Sequence, residues 1–144
     1  MQGIRLILTV LWLVLYNSAS GAAHISARHA WIRLLPGNLP AAGYLELTNA
    51  GADSVQLVAM QSAYFGSIEL HESSEQSGVA RMRRVDSLDI PAGRTVRLKP
   101  RGYHLMLFRP VGTLKPGDRV TVMLEFSDAS HLAVKFLLRD ASGQ

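Results

Sequence analysis

Cysteine is absent from this chain of 144 residues. That absence removes disulfides, zinc–thiolate sites, cysteine nucleophiles and the thiolate-ligated blue-copper centre together. Aromatic residues make up only 7% of the chain, so a core drawn from the 48% that are hydrophobic must be mainly aliphatic. Beyond the amino-terminal region no stretch shows a capped 3.6-residue periodicity, which argues against helices. The sequence holds no Gly-x-Ser-x-Gly elbow, no His-Glu-x-x-His pair and no phosphate loop. The hydrolase, metalloprotease and nucleotide-handling classes therefore lack their signatures. Glu69, Glu72 and Glu75 have no nucleophile to work with, and no enzyme is expected. Nucleic-acid binding needs basic and aromatic residues interleaved on one face, a pattern not found here. The net charge of +4 and pI near 9.9 suit anionic membranes, nucleic acid or acidic proteins, and the balance alone does not choose among them.

Long apolar runs are scarce too, with one exception. Leu6 to Tyr16 is an apolar run, interrupted only by Thr9, behind Arg5 and followed by the small and polar residues Asn17 to Ala23. This is the layout of a secretory signal peptide. The run is shorter than the roughly 20 apolar residues a membrane-spanning helix needs. The expected organisation is a signal peptide over residues 1–23 and a single domain over residues 24–144, exported to the periplasm, with no stable membrane span after cleavage. Cleavage near Ala23 would leave His24 beside a new amino terminus, a further candidate site for Cu(II).

From Ala27 onward the chain reads as short alternating segments divided by Gly, Pro, Asn and Asp. Strands are expected at 29–34, 42–48, 54–60, 67–72, 79–85, 95–99, 103–108, 120–126 and 133–138, with a polar loop from Ser73 to Gly78 and a turn over Ile90 to Gly93. Met60 and Met123, inside apolar strands, are expected in the core. Such spacing indicates an all-β antiparallel sandwich or barrel.

The chemistry concentrates around Lys99-Pro100-Arg101-Gly102-Tyr103-His104-Leu105-Met106. In a strand, residues i and i+2 share a face, so His104 and Met106 stand side by side while Tyr103, Leu105 and Leu107 point the other way. One imidazole and one thioether so placed form a soft-metal clamp. His71 and Met82 lie upstream, and the set reads His71, ten residues, Met82, twenty-one residues, His104, one residue, Met106. Cu(I) is soft and accepts thioether sulfur, whereas Ca²⁺ and Mg²⁺ take oxygen and structural zinc takes thiolate, imidazole and carboxylate. A thioether has no proton to lose, so the metal competes with protons only on the imidazoles. Methionine on a strand is also common core filler, and these residues alone leave both roles open. Without a metal role, the chain would be an exported β-sandwich adhesion or assembly module.

The same spacing resembles the signature of the PCuAC family of periplasmic copper chaperones. Ala30-Trp31-Ile32-Arg33, Ala41-Ala42-Gly43-Tyr44, Ile68-Glu69-Leu70-His71, Arg81-Met82-Arg83 and Leu98-Lys99-Pro100 with Gly102-Tyr103-His104-Leu105-Met106 resemble family segments in order, from about Ala30 to Leu138. The resemblance implies a cupredoxin-like or immunoglobulin-like antiparallel β-sandwich of Greek-key type. It implies Cu(I) held by His71, Met82, His104 and Met106. It also implies delivery of copper to the copper subunit of cytochrome c oxidase, alongside a Sco-type thiol protein. Arg101 departs from the pattern, standing where a second glycine is expected. The tail after Arg139 lacks a His- and Met-rich extension. Arg81, Arg83, Arg84 and Arg101, close to the ligands in sequence, either steer docking onto an acidic acceptor or form an ordinary solvated strand face, and the sequence leaves both open.

Overall fold

The structure, a computed structural model, describes residues 24–144. The expected signal peptide lies outside the described residues. Ten strands follow one another: β1 (Ile25–Arg33), β2 (Ala41–Asn49), β3 (Val55–Gln61), β4 (Phe65–Gln76), β5 (Val79–Arg84), β6 (Leu88–Ile90), β7 (Thr95–Leu98), β8 (Tyr103–Pro110), β9 (Arg119–Phe126) and β10 (His131–Arg139). Alternation drives them inward one face at a time. In β9, Val120, Val122, Leu124 and Phe126 are buried while Arg119 and Thr121 are exposed. The core is aliphatic with few rings, and Leu45, Leu47, Leu57, Ile90, Leu105, Leu107 and Phe136 lie fully inside it.

Hydrogen bonding runs in the order β5-β4-β8-β2-β1-β10-β9-β3-β6, and β7 also pairs with β2. Strand β2 is shared along its length: Ala41 to Gly43 pair with β8, and Leu45 to Thr48 with β7. β3 packs beside β4, so the path turns over on itself to enclose the core as a sandwich. The expected antiparallel pairing holds at every contact but one: β1 and β10 run parallel, with Trp31 opposite Leu137. The long excursion between the first and last strands leaves room for that arrangement, because parallel neighbours need a long connection.

Several expectations change in detail. The polar loop from Ser73 is strand as far as Gln76, and only Ser77 and Gly78 turn, with φ of 52° and 75°. Two consecutive positive φ values make a tight hairpin turn. β5 has no buried residue, so the outer ribbon has no core face to impose apolar alternation. Ile90 lies in β6 and is fully buried rather than in the turn. β1 starts at Ile25, and its alternation is broken by a register shift between Arg28 and Trp31 where His29 takes φ 53°. Met60 packs partly against the core, whereas Met123 is half-buried and lines an open cleft beside Tyr64.

A candidate metal centre on the β4–β8–β5 face

Strand register brings the four candidate residues onto one face. His71 and His104 are directly opposite on β4 and β8, and Glu69 is opposite Met106. Directly paired residues point to the same side of a sheet. One step outward, Ser73 pairs with Met82 across the β4–β5 ribbon. Ser73 shares the face of His71 by the two-residue period, so Met82 does as well. Leu105 and Leu107, alternating with the candidate donors on β8, are fully buried in the core and anchor that strand. Gly43, paired with Leu105, is closely packed: a Cβ there would lie 3.2 Å from both Leu105 Cβ and Leu107 Cδ1, so these side chains would have to give by a few tenths of an ångström.

Met82, His104 and Met106 line one open cleft of about 500 Å³, together with Arg33, Tyr44 and Arg101. His71 is not on its wall; it sits beside His104, with ring centroids 5.9 Å apart. The four donors differ in exposure. His104 is 4% exposed, Met106 is half-buried and Met82 is 54% exposed. Among the described residues, no three His, Cys, Asp or Glu side chains are grouped to hold a metal. The four candidate donors are two imidazoles and two thioethers, which suit a soft ion and not a hard one, and the Glu69 carboxylate on the same face is engaged by His71.

The imidazoles are held by their neighbours. His104 Nδ1 lies 3.1 Å from the carbonyl of Gly102. A carbonyl only accepts, so Nδ1 donates and the lone pair of the neutral ring is on Nε2. Burial pushes the His104 pKa below the usual histidine value, against an opposing contribution from the Gly102 hydrogen bond, and nearby His71 lowers it further. His71 Nε2 lies 2.9 Å from Glu69 Oε2. The ionised carboxylate accepts, which leaves Nδ1 of the neutral ring with the lone pair. That Nδ1 is buried and has no hydrogen-bond partner. A buried polar atom left unpaired costs free energy, and a metal ion is one partner that would satisfy it. The Glu69 carboxyl is itself held below the usual range, chiefly by the hydrogen bond from His71 and then by Arg84, despite some desolvation.

Two supporting features were not anticipated from the sequence. Glu69 orients His71 from two residues away, a spacing that the strand period alone would have flagged. On the other side, Tyr44 lies 6.4 Å from the His104 ring and 4.7 Å from Trp31, centroid to centroid. The Arg33 guanidinium stands 5.6 Å from the Trp31 ring centre and 5.7 Å from that of Tyr44. The β5 arginines divide differently from expectation. Arg83 pairs with Glu72, Arg84 lies 3.9 Å from Glu69, and Arg81 and Arg83 alternate to the side opposite Met82.

Residues 25–137 match the family described as "Putative lipoprotein LpqE-like". The protein named "Putative lipoprotein Lxx21020" of Leifsonia xyli subsp. xyli is 32% identical over 120 residues, 83% of this chain and 72% of that protein. Uncharacterized protein RP573 of Rickettsia prowazekii is 35% identical over 86 residues, 59% of this chain and about half (48%) of its own length. Among solved structures, the copper-bound PCuAC domain from PmoF2 superposes with a TM-score of 0.67 at 22% identity, covering 81% of this chain and 93% of that one. The Cu(I) form of DR1885 from Deinococcus radiodurans superposes with a TM-score of 0.64 at 28% identity, covering 83% of each chain.

Proposed function

This chain belongs to the LpqE-like family and has the cupredoxin-like β-sandwich of a PCuAC domain, and from that premise we propose that it is an exported chaperone carrying Cu(I) on His71, Met82, His104 and Met106. Copper is its cargo. The observation that carries the reading is the unpartnered, buried Nδ1 of His71, set beside His104 on a face that also presents the thioethers of Met82 and Met106. His104 would bind through Nε2, because Gly102 occupies its other nitrogen. Neutral imidazoles and thioethers leave the single charge of Cu(I) uncompensated, so the ion is held by soft donation and not by charge. Such a site can give up its ion to an incoming thiolate, one ligand at a time. Met82, the most exposed donor, leaves first.

The relatives named as lipoproteins support export. We place the protein in the periplasm, cleaved from its signal peptide. There it hands copper to the binuclear copper centre of cytochrome c oxidase, working beside a Sco-type thiol protein. The family resemblance of the His71, Met82, His104 and Met106 spacing supports this route.

An anaerobic Cu(I) competition against a coloured chelator tests the site, with the wild type run beside Met106→Leu. One tight equivalent is expected, weakened by about tenfold or more in the variant, at least the loss typical of a second-shell change at a metal site. No competition by the wild type would return the four residues to a structural role and favour the adhesion or assembly module.

A further inference from the structure

The cleft beside the thioethers has a charge that copper binding does not explain. Its lining includes Arg33 and Arg101 but no aspartate or glutamate. Neither arginine makes an ion pair among the described residues. Arg33 is fixed against Trp31 and Tyr44, and its Nε is buried with no hydrogen-bond partner. Arg101 takes φ 67°, a left-handed conformation that costs a residue with a side chain and suits glycine. Of the five residues other than glycine with positive φ among the described residues, Arg101 is the one that lines this cleft. Loading the neutral donor set with Cu(I) would add a further positive charge to the same cleft.

Resting on the copper reading above, we propose that Arg33 and Arg101 form a carboxylate-binding subsite in the wall of the copper cleft, and that the carboxylate is an acidic side chain of the protein that receives the copper. A guanidinium recognises a carboxylate by charge-assisted, often bidentate, hydrogen bonds. The rim favours a protein over a free anion: Leu35 and Met82 on the lining are exposed at 36% and 54%, and Met and Arg beside exposed apolar groups are the composition of a docking surface. A bound carboxylate would offset the charge of the loaded cleft. It would also hold the acceptor's soft ligands within reach of Met82.

Two synthetic peptides test this, each with two cysteines as copper ligands and differing only in a flanking aspartate or asparagine. Anaerobic stopped-flow would follow Cu(I) transfer from the full-length mature protein, and a chelator competition on each variant would report metal binding separately. The wild type is expected to load the aspartate peptide about tenfold to a hundredfold faster, the range for a hydrogen bond to a charged group. Arg101→Gly, which relieves the left-handed strain and so should fold, is expected to erase most of that preference, as is Arg33→Gln. Equal rates for the two peptides, or a preference that survives Arg101→Gly, would overturn the subsite while leaving the copper site standing. Failure of the wild type to bind Cu(I) would instead remove the copper reading. Acetate separates the two sources of carboxylate: if millimolar acetate slows the aspartate peptide to the asparagine rate, the site takes free small carboxylates and the acceptor assignment is wrong.

Discussion

The two nitrogens of His71 have different surroundings. Nε2 donates to Glu69 across 2.9 Å, and Nδ1 is buried with nothing to bond. A ring held by a carboxylate on one nitrogen and free on the other is the arrangement by which an outer carboxylate fixes the tautomer and orientation of a metal-binding histidine. Glu69 also receives Arg84 at 3.9 Å, so the carboxylate is itself restrained. Glu69→Gln keeps the shape of the side chain but can no longer enforce the Nε2–H tautomer by charge. We expect it to weaken Cu(I) binding by about tenfold to a hundredfold, the usual loss for an outer-shell partner. The check is the same anaerobic competition, with a circular dichroism spectrum to show that the fold is kept. An unchanged affinity would mean that His71 does not depend on Glu69 or does not ligate at all.

At the scale of elements, β8 divides its work by alternation. Its donor face carries His104 and Met106, and its core face carries Leu105 and Leu107 with no exposed area. Leu105→Ala should cost about 2–5 kcal/mol, the range for truncating a buried leucine, measured as a shift in the urea midpoint. Copper stoichiometry should persist below that midpoint, because the donors are on the other side of the strand. This alternation made His104 and Met106 legible from sequence, since a spacing of two residues decides their common face. The partnership of His71 with His104 was not legible in the same way. It depends on the register of β4 against β8, and register is set by core packing and turns far from either residue. Met82 was harder still. Its strand was expected, but its place depends on pairing with Ser73 to Gln76, a segment too polar to declare itself as strand because neither face meets the core. Arg33 stood out only as part of the Ala30-Trp31-Ile32-Arg33 segment, because its place beside the cleft comes from stacking on Trp31 and Tyr44 after β1 and β2 have paired.

Across the whole molecule, stability is unevenly distributed. Most strands have neighbours on both sides and contribute to one aliphatic core, but β5 is one edge of the sheet, pairs only with β4 and buries none of its six residues. Segments with exposed hydrogen bonds and few apolar contacts open first. Copper bound by Met82 would give β5 a second attachment, linking it through the ion to His71 on β4 and to His104 and Met106 on β8. A ligand that binds only the closed arrangement stabilises it in proportion to the affinity lost on opening. Amide exchange in β5 should therefore slow by about tenfold or more on adding one equivalent of Cu(I), since each tenfold corresponds to about 1.4 kcal/mol, while β9 and β10 change little. Zn²⁺ should not reproduce the effect, because it takes thioether sulfur poorly. Met82→Leu should remove the protection at β5 while leaving weaker copper binding on the remaining donors. If wild-type protein binds Cu(I) tightly and β5 still exchanges as fast as in the metal-free form, Met82 is not a ligand, and copper is held by β4 and β8 alone.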